Sequence, residues 1–271
     1  MNVLQLCSMI NLPEEVFAEI ERYFSERVSV VDDCLKNQLC KRECWETALK
    51  ELKRRIGTDQ YGFCILAELL NIACDTYESY LKKGISIDIF IRTMEFCSRF
   101  IKRQKKHFGH YAFTWDWWFT RQIAMQEFRI EELEFELIDR PDREISIHIP
   151  SDADLRPFRL QSTLNAFKAF LSAYYPDWSE VDWYCESWLL SPLLNELLEA
   201  NSNILYFKQL FELQSADMES MAVLDWVFPG ETVTLQDMPE TTSLQKKMKL
   251  FLLNGGKIGW VKGKYKKENN K

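Results

Sequence analysis

Several features that define common protein classes are missing from this sequence of 271 residues. No run of about 18 uncharged apolar residues occurs, which predicts that the chain contains no membrane span. The first residues, MNVLQLCSMINLPEEV, carry neither a basic segment nor a small-residue cleavage site, so no secretory signal peptide is expected. We therefore predict a cytoplasmic protein.

Glycine-rich and histidine-based catalytic motifs are also absent from the sequence. There is no G-x-G-x-x-G segment after a predicted strand, no Walker phosphate loop and no G-x-S-x-G nucleophile elbow. Only three histidines are present, His107, His110 and His148, and none belongs to an H-E-x-x-H motif. Gly109 interrupts the helix that would align the first two, so we expect no metal site. A nucleophilic pair of His148 with Cys185 is conceivable but disfavoured.

Cysteine is present in a pattern that favours neither a disulfide scaffold nor a zinc site. Seven of the eight cysteines lie before residue 100, in a segment too long and too helical for a small disulfide-stapled domain. Cys40 and Cys44 lie four positions apart with Cys34 nearby, but the paired spacing of a structural zinc site is missing. We expect reduced thiols that are mostly buried as small apolar groups.

Acidic residues are concentrated in the second half of the chain. Residues 1–110 hold 17 Lys and Arg against 16 Asp and Glu, residues 111–256 hold 11 against 24, and residues 257–271 hold six against one. Nucleic-acid binding needs clustered Lys and Arg, so this acidic body argues against it. The basic stretch Lys102–Lys106 leaves open a regulator that contacts nucleic acid, although cations at a helix C-terminus explain it as well. An acidic surface favours the approach of a cationic substrate such as an amine.

The first part of the chain predicts a helical unit. Three segments end in basic residues followed by glycine, at Gly57, Gly84 and Gly109, which is the pattern of a helix C-terminus. Apolar residues recur within these segments at helical spacing. We predict four or five helices in residues 1–110, followed by an aromatic-rich joining helix over residues 115–128.

The rest of the chain alternates strand and helix patterns. Apolar and polar residues alternate in LEFELI and in EISIH, and the turn DRPDR between them predicts an antiparallel hairpin ending near His148. Pro157 then begins a helix. Three later segments are interpreted as strands: VDWYCESWLL (181–190), NILYFKQLFEL (203–213) and AVLDWVF (222–228). A mixed sheet with helices packed on it is the expected architecture, and the Lys-rich residues 262–271 are predicted to be a disordered tail.

Three segments resemble a bacterial family of two-domain acyltransferases: LEFELI with ISIHIPSDADL, CESWLLSPLLNELLEANSNILYF, and SLQKKMKLFLLNGGKIG. Members of that family combine an N-terminal helical acyltransferase domain with a C-terminal domain similar to the GNAT fold. The resemblance covers most of the chain. It implies an α+β protein with an all-helical N-terminal domain in residues 1–110 and a GNAT-like mixed α/β domain in residues 111–271.

The resemblance also implies an activity, the transfer of an acyl group from acyl-CoA to the amine of a small molecule or a peptide. In GNAT-like folds a central strand separates from its neighbour, and backbone groups there hold the pantetheine arm. The following loop and helix N-terminus hold the pyrophosphate. On this chain the matching strand is residues 144–150 and the loop is residues 151–158. Six residues are thereby implied to bind the acyl-CoA: Ile147, Ile149, Ser151, Arg156, Arg159 and Ser162.

Acyl transfer to an amine needs a base for the amine and a proton donor for the leaving thiolate. YFKQLF (206–211) is similar to the Y-x-K-x-G-F segment of GNAT enzymes, which makes Tyr206 a candidate general acid, with Leu210 in place of the glycine. Further candidates lie on the strands that flank the expected gap: His148, Glu134, Glu136 and Glu186. Adjacent strands of the hairpin can bring a glutamate near the histidine. A solvated polar face of the sheet explains the same residues without catalysis.

The loop after the hairpin departs from the GNAT pattern. The usual R/Q-x-x-G-x-G/A motif is replaced by SDADLRPFRL, which has no glycine and two aspartates. Carboxylates repel a pyrophosphate, although Arg156 and Arg159 can compensate and the Ser162 hydroxyl can donate a hydrogen bond. The alternative is therefore a non-catalytic binding or scaffold protein that keeps a GNAT-like fold without a working cofactor loop.

Overall fold

A computed structural model describes residues 1–139, 141–230 and 234–267. The chain forms two compact units, Met1–Ile130 and Glu131–Lys271, and each is described by itself. Within the described ranges, none of the helices combines the length and apolar character that crossing a bilayer requires. Arg140, in the predicted hairpin turn, and residues 268–271 of the predicted tail lie outside the described residues.

The first unit is helical, as predicted. Its helices are α1 (Val3–Met9), α2 (Glu14–Glu26), α3 (Asp33–Leu39), α4 (Trp45–Ile56), α5 (Phe63–Lys83), α6 (Ile87–Met94), α7 (Phe96–Phe108) and α8 (Asp116–Ile123), and strand β1 (Glu127–Ile130) follows. The prediction of four or five helices before residue 110 was too low, because α1, α3 and α6 are too short to show a clear apolar period. Gly84 and Gly109 end their helices in the left-handed conformation, at φ of 76° and 77°.

Helix α5 forms the centre of the first unit, and α1, α2, α4, α6 and α8 all pack against it. Its apolar residues occupy most of its circumference, and Leu66, Leu69 and Leu70 are fully buried. A helix that is apolar on all sides needs neighbours on all sides, so its sequence places it in the middle of a bundle.

The second unit is a mixed sheet with helices. Its strands are β2 (Leu133–Ile138), β3 (Glu144–His148), β4 (Trp183–Ser187), β5 (Phe211–Asp217) and β6 (Trp260–Tyr265), and its helices are α9 (Pro157–Tyr174), α10 (Leu194–Leu197), α11 (Asn203–Gln209), α12 (Val223–Val227) and α13 (Ser243–Leu253). The strands lie in the order β2-β3-β4-β6-β5. Strands β3 and β4 run parallel and are connected through α9, whereas the other neighbouring pairs within this unit are antiparallel.

One apolar core of the second unit lies between a sheet face and helix α9. Alternation along the strands directs Phe135 and Trp183 to this face, and α9 supplies Phe167. The Phe135 and Phe167 rings stack with centroids 3.7 Å apart, and the Trp183 ring packs 5.1 Å from that of Phe167. Pro157 occupies the first turn of α9, where its missing N–H costs no hydrogen bond. The predicted hairpin and the helix starting at Pro157 are therefore both present.

Three strand assignments made from the sequence were wrong in whole or in part. Residues 203–209 form α11, whose first turn is capped by the Ser202 side chain, and only the end of that segment enters β5. Residues 223–227 form α12. Strand β4 stops at Ser187, after which residues 188–190 make a turn of 3₁₀-helix. Short apolar runs fit both helical and strand periods, which explains these errors.

The predicted disordered tail was wrong for its first residues, because residues 262–265 belong to β6. Buried Val261, Gly263 and Tyr265 alternate along this strand with half-exposed Lys262 and Lys264. The alternation is that of a strand, but the lysines made the segment look unstructured. Strand β6 pairs on one side with β4 and on the other with β5, so it lies inside the sheet.

The division of the chain into two units falls after Ile130, whereas the sequence predicted a domain boundary after residue 110. The predicted joining helix over 115–128 is represented by α8, and β1 begins at Glu127. Helix α8 packs on α4 and α5 of the first unit. The limits of the functional domains stay a prediction.

Candidate active site

Strands β3 and β4 are paired over only two positions. The register joins Ile145 to Trp183 and Ser146 to Tyr184, although β3 continues to His148 and β4 continues to Ser187. On their outer sides both strands stay paired, β3 with β2 through His148 and β4 with β6 through Ser187. The two strands therefore separate after Ser146 and Tyr184, and a gap opens between their carboxyl ends. Ligands of open α/β sheets commonly bind at this end of parallel strands.

The backbone of β3 presents hydrogen-bonding groups to this gap. The Ile145 N–H donates to the Asp182 carbonyl at 3.0 Å, on the side of β4. Because alternate residues of a strand direct their N–H and C=O groups to the same side, those of Ile147 also point toward β4. In a parallel ladder of this phase, the last register pair, Ser146 with Tyr184, is joined through the Ile147 N–H and the Tyr184 carbonyl, so the Ile147 C=O is the first group beyond the described pairing. Ile149 follows just after the end of the strand.

A polar surface formed by β2, β3 and β4 lies on the sheet face opposite α9. Glu134 faces His148 in the register, Glu136 faces Ser146, and Tyr184 lies beside Ser146 on β4. Cross-strand partners share a face, so these side chains lie together. Cys185 points to the opposite, apolar face, and its burial raises the pKa of its thiol. This geometry excludes the conceivable nucleophilic pair of His148 with Cys185.

His148 is hydrogen-bonded to a buried glutamate. Its Nε2 lies 3.0 Å from Oε2 of Glu136, whose side chain is only 3% exposed, while that of His148 is 23% exposed. With an ionised carboxylate as partner, Nε2 carries the proton and donates it. The sequence placed both Glu134 and Glu136 near His148. The register puts Glu134 opposite His148, and the hydrogen bond shows that Glu136, one register pair along, contacts the ring.

The other two catalytic candidates lie on strand β4 and on helix α11. Lys262 places its Nζ 3.3 Å from Oε1 of Glu186 and 3.0 Å from Oε2 of Glu144, so Glu186 belongs to an ion-paired group on β3, β4 and β6. Tyr206 lies half-buried on helix α11, not on the strand that the sequence predicted. The structure therefore brings His148 together with Glu134 and Glu136, while Glu186 and Tyr206 occupy separate elements.

The polar groups of the predicted cofactor loop contact carboxylates of the chain itself. Nε of Arg156 donates to Oδ2 of Asp154 at 2.8 Å, and hydrogen bonds from the side chain and backbone of Arg156 lower the pKa of Asp154 below its usual range. Nε of Arg159 lies 3.9 Å from both Asp154 and Glu132. Two further candidates lie nearby: Ser151 is exposed in a turn, and the Ser162 hydroxyl donates to Oε1 of Glu131 at 3.1 Å.

Two protein-family models match the sequence. Residues 75–265 match the model described as a GNAT-like C-terminal domain, and residues 1–125 match the model described as an N-acyltransferase N-terminal domain. No curated protein matches the chain.

Solved structures with a similar fold include three acyltransferase complexes. A mutant acyltransferase in complex with octanoyl-CoA aligns with a TM-score of 0.78 and 18% identity, over 97% of this chain and 86% of that chain. An acyltransferase in complex with decanoyl-CoA aligns with a TM-score of 0.70 and 16% identity, over 98% and 99% of the two chains. An acyltransferase in complex with decanoyl-CoA and teicoplanin aligns with a TM-score of 0.71 and 17% identity, over the same shares. At these identities the similarity concerns the fold.

Proposed function

Because the chain belongs to the acyltransferase family with a GNAT-like C-terminal domain, we propose that it transfers an acyl group from an acyl-CoA to an amine. The separation of β3 from β4 after Ser146 carries this proposal. The pantetheine arm of CoA is extended and contains amide groups, so it can pair with the exposed edge of β3 as a neighbouring strand would. The backbone C=O of Ile147 and the N–H of Ile149, which follow the last register pair on the β4 side, are the groups that we assign to this pairing.

The proposed reaction forms a C–N bond and breaks the C–S bond of the thioester. The amine nitrogen attacks the acyl carbonyl, and the imidazole of His148 takes the proton that the amine loses. Glu136 fixes the ring through Nε2, and the carboxylate of Glu134, opposite in the register, stabilises the positive charge that the imidazole gains. We assign Tyr206 as the proton donor to the leaving thiolate, as its resemblance to the GNAT tyrosine implies.

The similar structures suggest which substrates to test first. They contain octanoyl-CoA, decanoyl-CoA and teicoplanin. We propose a medium-chain acyl-CoA as the donor and an amine of a small molecule or peptide as the acceptor. The acidic body of the chain, with 24 Asp and Glu against 11 Lys and Arg in residues 111–256, favours an acceptor that carries positive charge.

A second candidate function is a binding or scaffold protein without catalysis. The contacts of Asp154 with Arg156 and of Glu131 with Ser162 favour it, because these carboxylates lie where GNAT enzymes bind a pyrophosphate. A phosphate arriving there must compete with charges of its own sign.

Isothermal titration calorimetry with acetyl-CoA, octanoyl-CoA and decanoyl-CoA separates the two functions. We expect saturable binding with a dissociation constant well below about 1 mM, which corresponds to about −4 kcal/mol. Release of free CoA thiol when teicoplanin or a simple alkylamine is added would support the transferase. Absence of binding at millimolar acyl-CoA would favour the scaffold protein and contradict the transferase.

A further inference from the structure

A large aromatic side chain is exposed at the start of α9. Phe158 occupies the second position of this helix and is 60% exposed, while Leu160 and Leu164 of the same helix are buried. The guanidinium carbons of Arg156 and Arg159 lie 5.0 and 5.6 Å from the centroid of the Phe158 ring. Both guanidinium groups lie over the ring, and Phe158 is still 60% exposed, so the cluster offers planar aromatic and cationic surfaces to a ligand.

The charges around this ring are nearly balanced. Asp154 is hydrogen-bonded to Arg156, and Glu132 lies 3.9 Å from Arg159. The two cations are therefore offset by two carboxylates, and a free phosphate gains little from the cluster. An uncharged heteroaromatic ring is a better match, because stacking on Phe158 and on guanidinium planes needs no net charge.

The position of Phe158 in the chain identifies the ring that would stack there. The loop that leads from the end of β3 to α9 joins the gap beside Ile147 to Arg156 and Phe158. An acyl-CoA whose pantetheine arm lies in the gap carries its adenine at the other end of the molecule. We propose that the adenine ring of CoA stacks on the surface that Phe158 forms with the guanidinium groups of Arg156 and Arg159. This inference rests on the proposed function, because it requires the pantetheine arm to occupy the gap.

Comparing two thioesters tests this assignment. Octanoyl-CoA contains the adenine, whereas octanoyl-pantetheine shares the acyl chain and the arm but lacks the nucleotide. In calorimetry, Phe158→Ala should weaken the binding of octanoyl-CoA by about tenfold, in line with the contribution of one base stacked on an aromatic side chain. The same variant should leave the binding of octanoyl-pantetheine unchanged.

Two control variants show whether a loss of affinity in Phe158→Ala comes from the aromatic ring. Phe158→Trp keeps an aromatic surface and should bind octanoyl-CoA at least as tightly as the wild type. Leu250→Ala removes a side chain of similar exposure, 63%, from α13 and should change neither affinity.

Each outcome bears on one of the two proposals. If Phe158→Ala binds octanoyl-CoA as well as the wild type does, or weakens both thioesters equally, the adenine assignment is wrong and the transferase proposal stands. If the wild type binds neither thioester, the proposed function fails, and the adenine assignment fails with it.

Discussion

His148 owes its proposed role to two acidic neighbours on one adjacent strand. Glu134 lies opposite it in the β2–β3 register, and Glu136 is hydrogen-bonded to its Nε2. The buried carboxylate fixes the orientation of the ring, which a general base needs in order to meet a substrate proton.

We expect His148→Ala to lower the rate of CoA release from octanoyl-CoA by about 100-fold to 10 000-fold, the usual contribution of a general base. Glu136→Gln should lower kcat less and leave KM for octanoyl-CoA unchanged, because Glu136 acts only through the ring. A thiol-reactive dye that reports free CoA measures both. Ser146→Ala, on the same sheet face, is the matched control. Full activity in His148→Ala would remove the histidine from the mechanism.

Burial separates the cysteines by reactivity. It raises the pKa of Cys7 to about 12, with a further contribution from Cys74, and it raises the pKa of Cys74 to about 11. Cys34 is exposed. Because the thiolate is the reactive form, a disulfide reagent at pH 8 should label Cys34 first, and should reach Cys7 and Cys74 only in denaturant. Mass spectrometry of the labelled peptides checks this, and rapid labelling of Cys7 in the folded protein would contradict it.

At the level of whole strands, the proposed binding of the pantetheine arm in the gap beside β3 depends on a backbone N–H rather than on a side chain. Ile149→Pro removes the N–H that follows the last register pair on the β4 side, while sparing the N–H groups that bond β2. Ile149→Val keeps the N–H and is the matched control. We expect the proline variant to bind octanoyl-CoA more weakly than the valine variant, with circular dichroism confirming that both are folded. Equal affinities in two folded variants would show that this N–H does not contact the ligand.

Helix α9 stabilises the second unit through one face. The Phe167 ring is fully buried and stacks on Phe135, whereas Phe158 is exposed on the same helix. Phe167→Ala should therefore lower the free energy of unfolding by about 3–5 kcal/mol. Phe158→Ala should change it by less than about 0.5 kcal/mol. Urea denaturation measures both values, and comparable losses in the two variants would mean that α9 does not pack as described.

The elements that could be predicted from the sequence are those fixed by local patterns. The β2–β3 hairpin follows from alternation around one turn, and α9 follows from Pro157 and a helical apolar period. Strand β6 could not be recognised, because its place in the sheet comes from pairing with β4 and β5, far away in the sequence. The few apolar residues of α11 and α12 fit both the helical and the strand period. Packing against neighbouring elements stabilises the helical form.

For the candidate site, the residue types were predictable but their contacts were not. His148, Glu134 and Glu136 could be placed on a hairpin, yet the contact of Glu136 with His148 depends on the register. The hydrogen bond between Arg156 and Asp154 depends on the geometry of the loop, which the spacing of residues in the sequence does not predict.

At the scale of the whole molecule, helix α8 belongs to the first unit, because it covers one side of α5. Its residues Phe119 and Ile123 are buried. The carbonyl of Ile123 accepts a hydrogen bond of 2.8 Å from the Thr76 hydroxyl of α5. The match to the N-acyltransferase N-terminal domain extends to residue 125, just beyond α8. A fragment that ends at residue 110 would leave the α8-facing side of α5 uncovered.

We therefore expect the two possible boundaries to give fragments of different stability. Residues 1–130 should show helical circular dichroism and a cooperative thermal transition, because α8 then covers the buried surface of α5. Residues 1–110 should lose cooperativity and bind a hydrophobic dye, because that apolar surface is exposed to water. Equal cooperative melting of both fragments would show that α8 is dispensable for the helical unit, and would favour the boundary predicted after residue 110.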